Sequence, residues 1–108
     1  EYFVHHEDVR RAQPGWAPRD LPARVQGALW RVVRARGPVA FRRVGCGVVL
    51  ARPDGETFVA RSGEPAAVLT GEPQELLLYL FGRRDHARVE VSGPAEAVDA
   101  LRRATLRV

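Results

Sequence analysis

Four residue types are missing from this chain of 108 residues: lysine, isoleucine, asparagine and methionine. Without lysine, all 17 basic side chains are arginines, while alanine, glycine, proline and valine are abundant. That set is the one GC-rich codons favour. The net charge of +4 and the pI near 10.5 therefore read as a genome signature rather than a phosphate-binding footprint. Along the chain, arginine alternates with aspartate and glutamate as on an ordinary solvated surface, so no nucleic-acid partner is expected. Cysteine is reduced to Cys46, which excludes an intrachain disulfide and fits a reducing, cytoplasmic setting. No apolar run approaches the roughly 20 residues of a membrane-spanning helix. The polar first eleven residues do not resemble a signal peptide. The chain starts at Glu1, inside what reads as a helix and without methionine, which implies a fragment lacking upstream sequence.

The remaining 45% of hydrophobic residues suffice for one domain with its own core. Tyr2 to Ala12 reads as the end of a helix stopped by Pro14-Gly15, and a connector rich in proline leads to Pro22. A second helix is expected from Pro22 to Arg36, with Val25, Leu29, Val32 and Val33 inward, Ala28 beside them, and Gly37-Pro38 as its stop. Val44 to Leu50 and Thr57 to Arg61 form a hairpin about the turn at Arg52-Pro-Asp-Gly-Glu56. Ala66 to Thr70 is a third strand. Glu72 to Phe81 is a helix apolar nearly all round, hence the most buried one, with Pro73 at its start and Gly82 at its end. A strand at Ala87 to Val91 and a last helix after Ser92-Gly-Pro94, with Val98 and Leu101 inward, complete the order. The expected class is α/β (α+β): a small, mostly antiparallel sheet covered by helices.

Few residues could carry chemistry. Glu1 and His5, four apart on the first helix, project from one face, and a carboxylate and an imidazole so placed can share a metal ion. They make half a site, and the spacing is also that of a charged helix end with solvated histidines. Cys46 lies between two glycines in a strand and reads as a small buried hydrophobe rather than a nucleophile. Arg83 and Arg84 follow the apolar helix. There they either complement its C-terminal dipole or present a planar fork to a carboxylate. No phosphate-cradling glycine loop, dinucleotide fingerprint or Ser/His/Asp order is present.

Two stretches together resemble a known family. Glu1-Tyr-Phe-Val-His5-His6-Glu-Asp8-Val-Arg-Arg-Ala12 looks like the end of the last long helix of a DinB-like four-helix bundle. Glu72-Pro-Gln-Glu-Leu-Leu-Leu-Tyr-Leu-Phe-Gly82-Arg83, with Ala87-Arg-Val-Glu-Val-Ser-Gly93, is similar to the C-terminal domain of mycothiol-dependent maleylpyruvate isomerases. The resemblance implies a truncated bundle over residues 1–13, a linker over 14–22 and a sterol carrier protein type-2-like domain over 23–108. It implies a divalent metal, typically zinc, held in part by Glu1 and His5, with the earlier histidine on an absent upstream helix. It also implies that Arg83 faces the metal cleft, with adjacent Arg84 the competing assignment.

Two functions follow as expectations. In the first, the chain is an inert helper domain of a mycothiol-dependent isomerase or transferase that joins a small-molecule thiol to an electrophilic substrate through the upstream domain. Arg83 would anchor a substrate carboxylate, and no membrane takes part. In the second, a sterol-carrier-like fold encloses an apolar tunnel between the Val25–Val33 and Leu76–Phe81 helices and binds a small hydrophobic ligand or lipid without catalysis. A homodimer is a further expectation, since a second Glu1/His5 helix could complete a metal site.

Overall fold

The computed structural model describes residues 21–84 and 87–104. Glu1 and His5, the truncated bundle helix and most of the linker lie outside the described residues. Helix α1 spans Ala23–Ala40 and starts where the Pro22 carbonyl accepts from the amides of Val25 and Gln26, both at 3.0 Å. The Gln26 side-chain amide donates to the Leu21 carbonyl at 3.1 Å, fastening the entry.

The helix runs through Gly37-Pro38 instead of stopping there. Pro38 lies on the exposed side, so the helical bond it cannot donate is lost next to water. Gly37 faces inward, where an added Cβ would stand 3.3 Å from Ala60 and 3.4 Å from Leu50. This close approach to the sheet holds the last turn in place, and the Phe41 amide still reaches the Gly37 carbonyl at 3.0 Å. The inner stripe also differs from expectation. Trp30, Val33, Gly37 and Ala40 are buried, whereas Val32 and Ala28 face outward.

Strand β1 spans Gly47–Ala51 and β2 spans Thr57–Arg61; they pair antiparallel, with a register shift between Val48 and Val49. The turn between them forms as its sequence dictates. Gly55 takes φ of +99°, the Gly55 amide bonds the Arg52 carbonyl at 3.0 Å, and the Glu56 amide bonds Asp54 Oδ1 at 2.9 Å. Val44 to Cys46 precede the strand rather than belonging to it. The Val44 amide closes a turn on Phe41 at 3.0 Å, and its side chain is buried in the core.

Strand β3, Ala66–Thr70, pairs with β1 in parallel, and β4, Glu90–Ser92, pairs with β3 antiparallel. The sheet order is β2-β1-β3-β4, mixed, with two of three pairings antiparallel. β4 starts three residues later than the expected strand. The Arg88 amide donates to the Glu75 carboxylate at 2.9 Å, and the Arg88 carbonyl crowds Gly71, so this backbone is committed to a neighbouring helix rather than to the ladder.

Helix α2, Pro73–Leu80, is buried at every position, and α3, Ala95–Arg103, buries Ala97 and Leu101. Val48, Leu50, Ala60, Ala67 and Leu69 join one core cluster with Val33, Leu76 to Leu80, Ala97 and Leu101. Val49, Val59 and Val68, level with each other in the ladder, stand outside that cluster. The three helices therefore share one face of the sheet, a small two-layer α/β arrangement.

One close approach and one open helix position yield predictions of opposite sign. A Cβ on Gly47 would meet the Gly63 carbonyl oxygen at 2.3 Å, so Gly47→Ala should destabilise the fold by about 1–3 kcal/mol. Gly27, inside α1, has nothing within 4 Å of an added Cβ, and Gly27→Ala should stabilise it by up to about 1 kcal/mol. Urea unfolding midpoints of the two variants against the parent measure both.

Candidate functional site

The residues Gly82-Arg83-Arg84 sit on a corner whose backbone is set by the end of α2. Gly82 adopts φ of +83°. Its amide bonds the Tyr79 carbonyl and the Arg83 amide bonds the Leu78 carbonyl, both at 3.0 Å. These are the two bonds of a Schellman cap, which needs a left-handed residue where glycine carries no Cβ penalty. Arg83 is half-buried, and its guanidinium Nη1 donates to the Phe81 carbonyl.

Arg84 turns the other way. Its Nη1 donates to the carbonyls of Leu101 and Arg102, each at 3.2 Å, and Nη2 donates to that of Ala104. Its guanidinium lies 5.4 Å from the Tyr79 ring centroid. One arginine thus serves the carbonyl end of α2 and its neighbour serves that of α3, where the macrodipole concentrates negative charge. Arg84 is committed to tying α2 to α3. Burial raises the pKa of Tyr79, opposed by the charges of Arg84 and Arg102.

At the other end of α2, Pro73 occupies the first turn and Glu75 is buried to 2% exposure. A carboxylate is favoured there by the amide end of the helix, and Glu75 uses it to hold the Arg88 backbone. Gln74 is equally buried. Neither stood out in the sequence, where the run from Leu76 to Phe81 dominates. A glutamate two residues after a proline at a helix start was the available signal.

A second cluster joins α1 to the β1–β2 turn. Trp30 Nε1 donates to Glu56 Oε2 at 2.8 Å, and Arg52 Nη1 donates to Glu56 Oε1 at 3.3 Å. The Arg52 guanidinium stands 5.7 Å from the Trp30 ring centroid. Beside it Gln26, Arg52, Pro53, Asp54 and Glu72 line an open cleft of about 320 Å³. Trp30 and Glu56 are 26 residues apart, so no local pattern announces their pairing.

Cys46 is buried, and its thiol donates to the Ala97 carbonyl at 3.4 Å, which fits a packed, structural side chain. Among the described residues, no group of three or more His, Cys, Asp or Glu side chains is placed to hold a metal ion. No described helix is long and apolar enough to cross a membrane.

Arg84→Ala removes the cap of α3 together with its contact to Tyr79. It should cost about 1–3 kcal/mol in chemical denaturation. Arg84→Lys should recover little of this, because a single ammonium cannot span three carbonyls as the guanidinium fork does. The Tyr79 shift gives a pH dependence. Unfolded tyrosine ionises near pH 10, the folded phenol ionises higher, and so stability should hold below about 10 and fall as pH rises beyond it. Tyr79→Phe should flatten part of that alkaline decline in melts recorded across the range.

Compared with protein-family models, with curated proteins and with solved structures, the chain matches none.

Proposed function

We propose that this chain is the C-terminal, helper part of a mycothiol-dependent metalloenzyme of the maleylpyruvate isomerase type, inert by itself, with a sterol carrier protein type-2-like domain over residues 23–108. The observation that carries the reading is the Gly82-Arg83 corner. The helix cap holds the Arg83 backbone rigidly at the surface end of the most buried helix. Arg84, the competing candidate, is occupied with the end of α3. Arg83 donates to the Phe81 carbonyl at its own helix end, and the role of anchoring a substrate carboxylate is assigned to it because it follows Gly82 as in the resemblance and its planar fork suits bidentate pairing.

Glu1 and His5 supply a carboxylate and an imidazole, a donor pair that suits zinc. In this reading the other ligands would come from a helix preceding Glu1 or from a second copy of the Glu1/His5 helix. When bound, the metal would lower the pKa of the thiol of mycothiol. The part assigned to this chain is to hold the substrate's carboxylate at Arg83 and orient it toward that centre.

The alternative, a lipid-binding module, is less well supported. Val33, Leu50, Leu69, Leu76, Leu77, Leu78 and Leu80 are each 0–1% exposed. A tunnel wide enough for an acyl chain and lined by these side chains would leave them open to solvent-sized molecules, and they are closed off by one another, while Val25, Leu29 and Phe81 are half-buried.

In the longer protein carrying the upstream bundle, Arg83→Ala should lower kcat/KM for a carboxylate-bearing substrate by about tenfold or more, the equivalent of about 1.5–3 kcal/mol. Arg83→Lys should restore little of it. Unchanged turnover in Arg83→Ala refutes the anchoring role. The 108-residue chain alone should show no mycothiol-dependent turnover.

A further inference from the structure

Helix α1 carries two apolar stripes, and the core uses one of them. The second runs Val25, Ala28, Val32, Ala35, Val39, with steps of three and four residues, along the side turned away from the sheet. Ala28, Val32, Ala35 and Val39 are exposed, and Val25 is half-buried. Val32 and Val39 retain 38% and 46% of their surface, which places them among the most exposed large hydrophobic residues described. This is a heptad seam with valine at one core position and alanine at the other. It extends for about 21 Å at 1.5 Å per residue.

Charge along this helix is segregated, contrary to the alternating pattern read from the whole chain. Between Ala23 and Arg43 there are six arginines, Arg24, Arg31, Arg34, Arg36, Arg42 and Arg43, and no aspartate or glutamate. All six are exposed. In heptad terms Arg24 and Arg31 flank the seam on one side and Arg36 on the other.

We propose that the outer face of α1 docks an acidic amphipathic helix of a partner polypeptide, seated along Val25, Ala28, Val32, Ala35 and Val39. The reading is independent of the function proposed above. Three arguments select this occupant. A second copy of α1 is disfavoured in both orientations, because parallel pairing sets Arg31 against the other copy's Arg36 and antiparallel pairing sets like flank against like flank, arginine on arginine. Interfacial membrane helices bury tryptophan, phenylalanine or leucine, whereas this stripe holds only valine and alanine. Such small side chains instead let another helix approach closely, with larger partner side chains filling the space over Ala28 and Ala35. A nucleic-acid backbone would pair with the arginines but would find no apolar complement for a stripe running between them.

A helix with apolar residues at its own a and d positions and carboxylates on its flanks satisfies both features. Its Glu or Asp side chains would meet Arg24, Arg31 and Arg36 on the rim, giving partner choice and a binding that weakens with salt, through a slower association above all.

The test uses the whole 108-residue chain and a synthetic peptide of about three heptads, with leucine at a and d and glutamate at e and g. A second peptide carries lysine in place of each glutamate. Binding is read by fluorescence anisotropy of the labelled peptide, and helix gain by circular dichroism. The acidic peptide should bind and become helical, and the lysine peptide should not. Affinity should fall by about tenfold or more between about 0.01 and about 1 M salt, as the screening length shrinks from about 30 Å to about 3 Å. Val32→Glu, at an exposed helix position where folding should survive, and Arg31→Glu should each weaken binding several-fold, with circular dichroism confirming the fold. Equal binding of both peptides, or no loss in Val32→Glu, overturns the seam. Tighter association with phosphatidylserine vesicles or duplex DNA than with the acidic peptide overturns it in favour of a lipid or nucleic-acid surface.

Discussion

Burying a helix on every side is the constraint around which this domain is arranged. α2 is eight residues long and lies between α1, the sheet and the chain that returns to β4, with no face left for water. Leucine and tyrosine side chains meet this demand by packing. The polar groups do not, because each buried donor or acceptor needs a partner or costs about 1–3 kcal/mol. Both ends of the helix answer this. At the start, Glu75 turns its carboxylate to the Arg88 amide. At the finish, Gly82 takes the left-handed conformation and closes two bonds onto Tyr79 and Leu78. The Arg88 contact shortens β4, and the Gly82 corner sends Arg84 toward α3, so the layout of the second half of the domain follows from how α2 is sealed.

Arginine performs several distinct tasks in a chain that has no lysine. Arg84 caps the carbonyl end of one helix, Arg61 holds the Arg42 carbonyl at 2.6 Å, and Arg52 lies over Trp30 while reaching Glu56. Arg34 lies over the Phe58 ring at 5.5 Å. Each of these uses the planar, many-donor guanidinium in a way an ammonium would serve poorly. Codon bias explains why arginine is frequent; it does not explain where these side chains are placed. The arginines along the outer side of α1 are different in kind, since what they flank is an apolar stripe that no described element covers.

The order of elements was legible because each is bounded by local chemistry. Proline and glycine mark both ends of α2, the Pro-Asp-Gly turn sets the hairpin, and β2 and β3 occupy the residues their composition indicates. Boundaries moved where a long-range contact overruled the local signal: Gly37 packing on Ala60 carried α1 past Pro38, and Glu75 withheld Arg88 from the ladder. Of the candidate site, the Gly82-Arg83 corner was visible, while the diversion of Arg84 to α3 was not, since its partners lie 17 to 20 residues away.

Composition and short-range pattern by themselves determined the α/β class, the burial of α2 and the hairpin, because these depend on residues within a turn or two of one another. The tertiary structure decided which stripe of α1 faces the core. Val25, Leu29, Val32 and Val33 share a helical spacing that fits either side, and periodicity cannot say which of two apolar stripes meets the sheet. Trp30 decided it, being held by Glu56 across the hairpin turn, with Gly37 giving the room to approach. Val32 was thereby left at the surface, on a seam whose partner is not in the described fold.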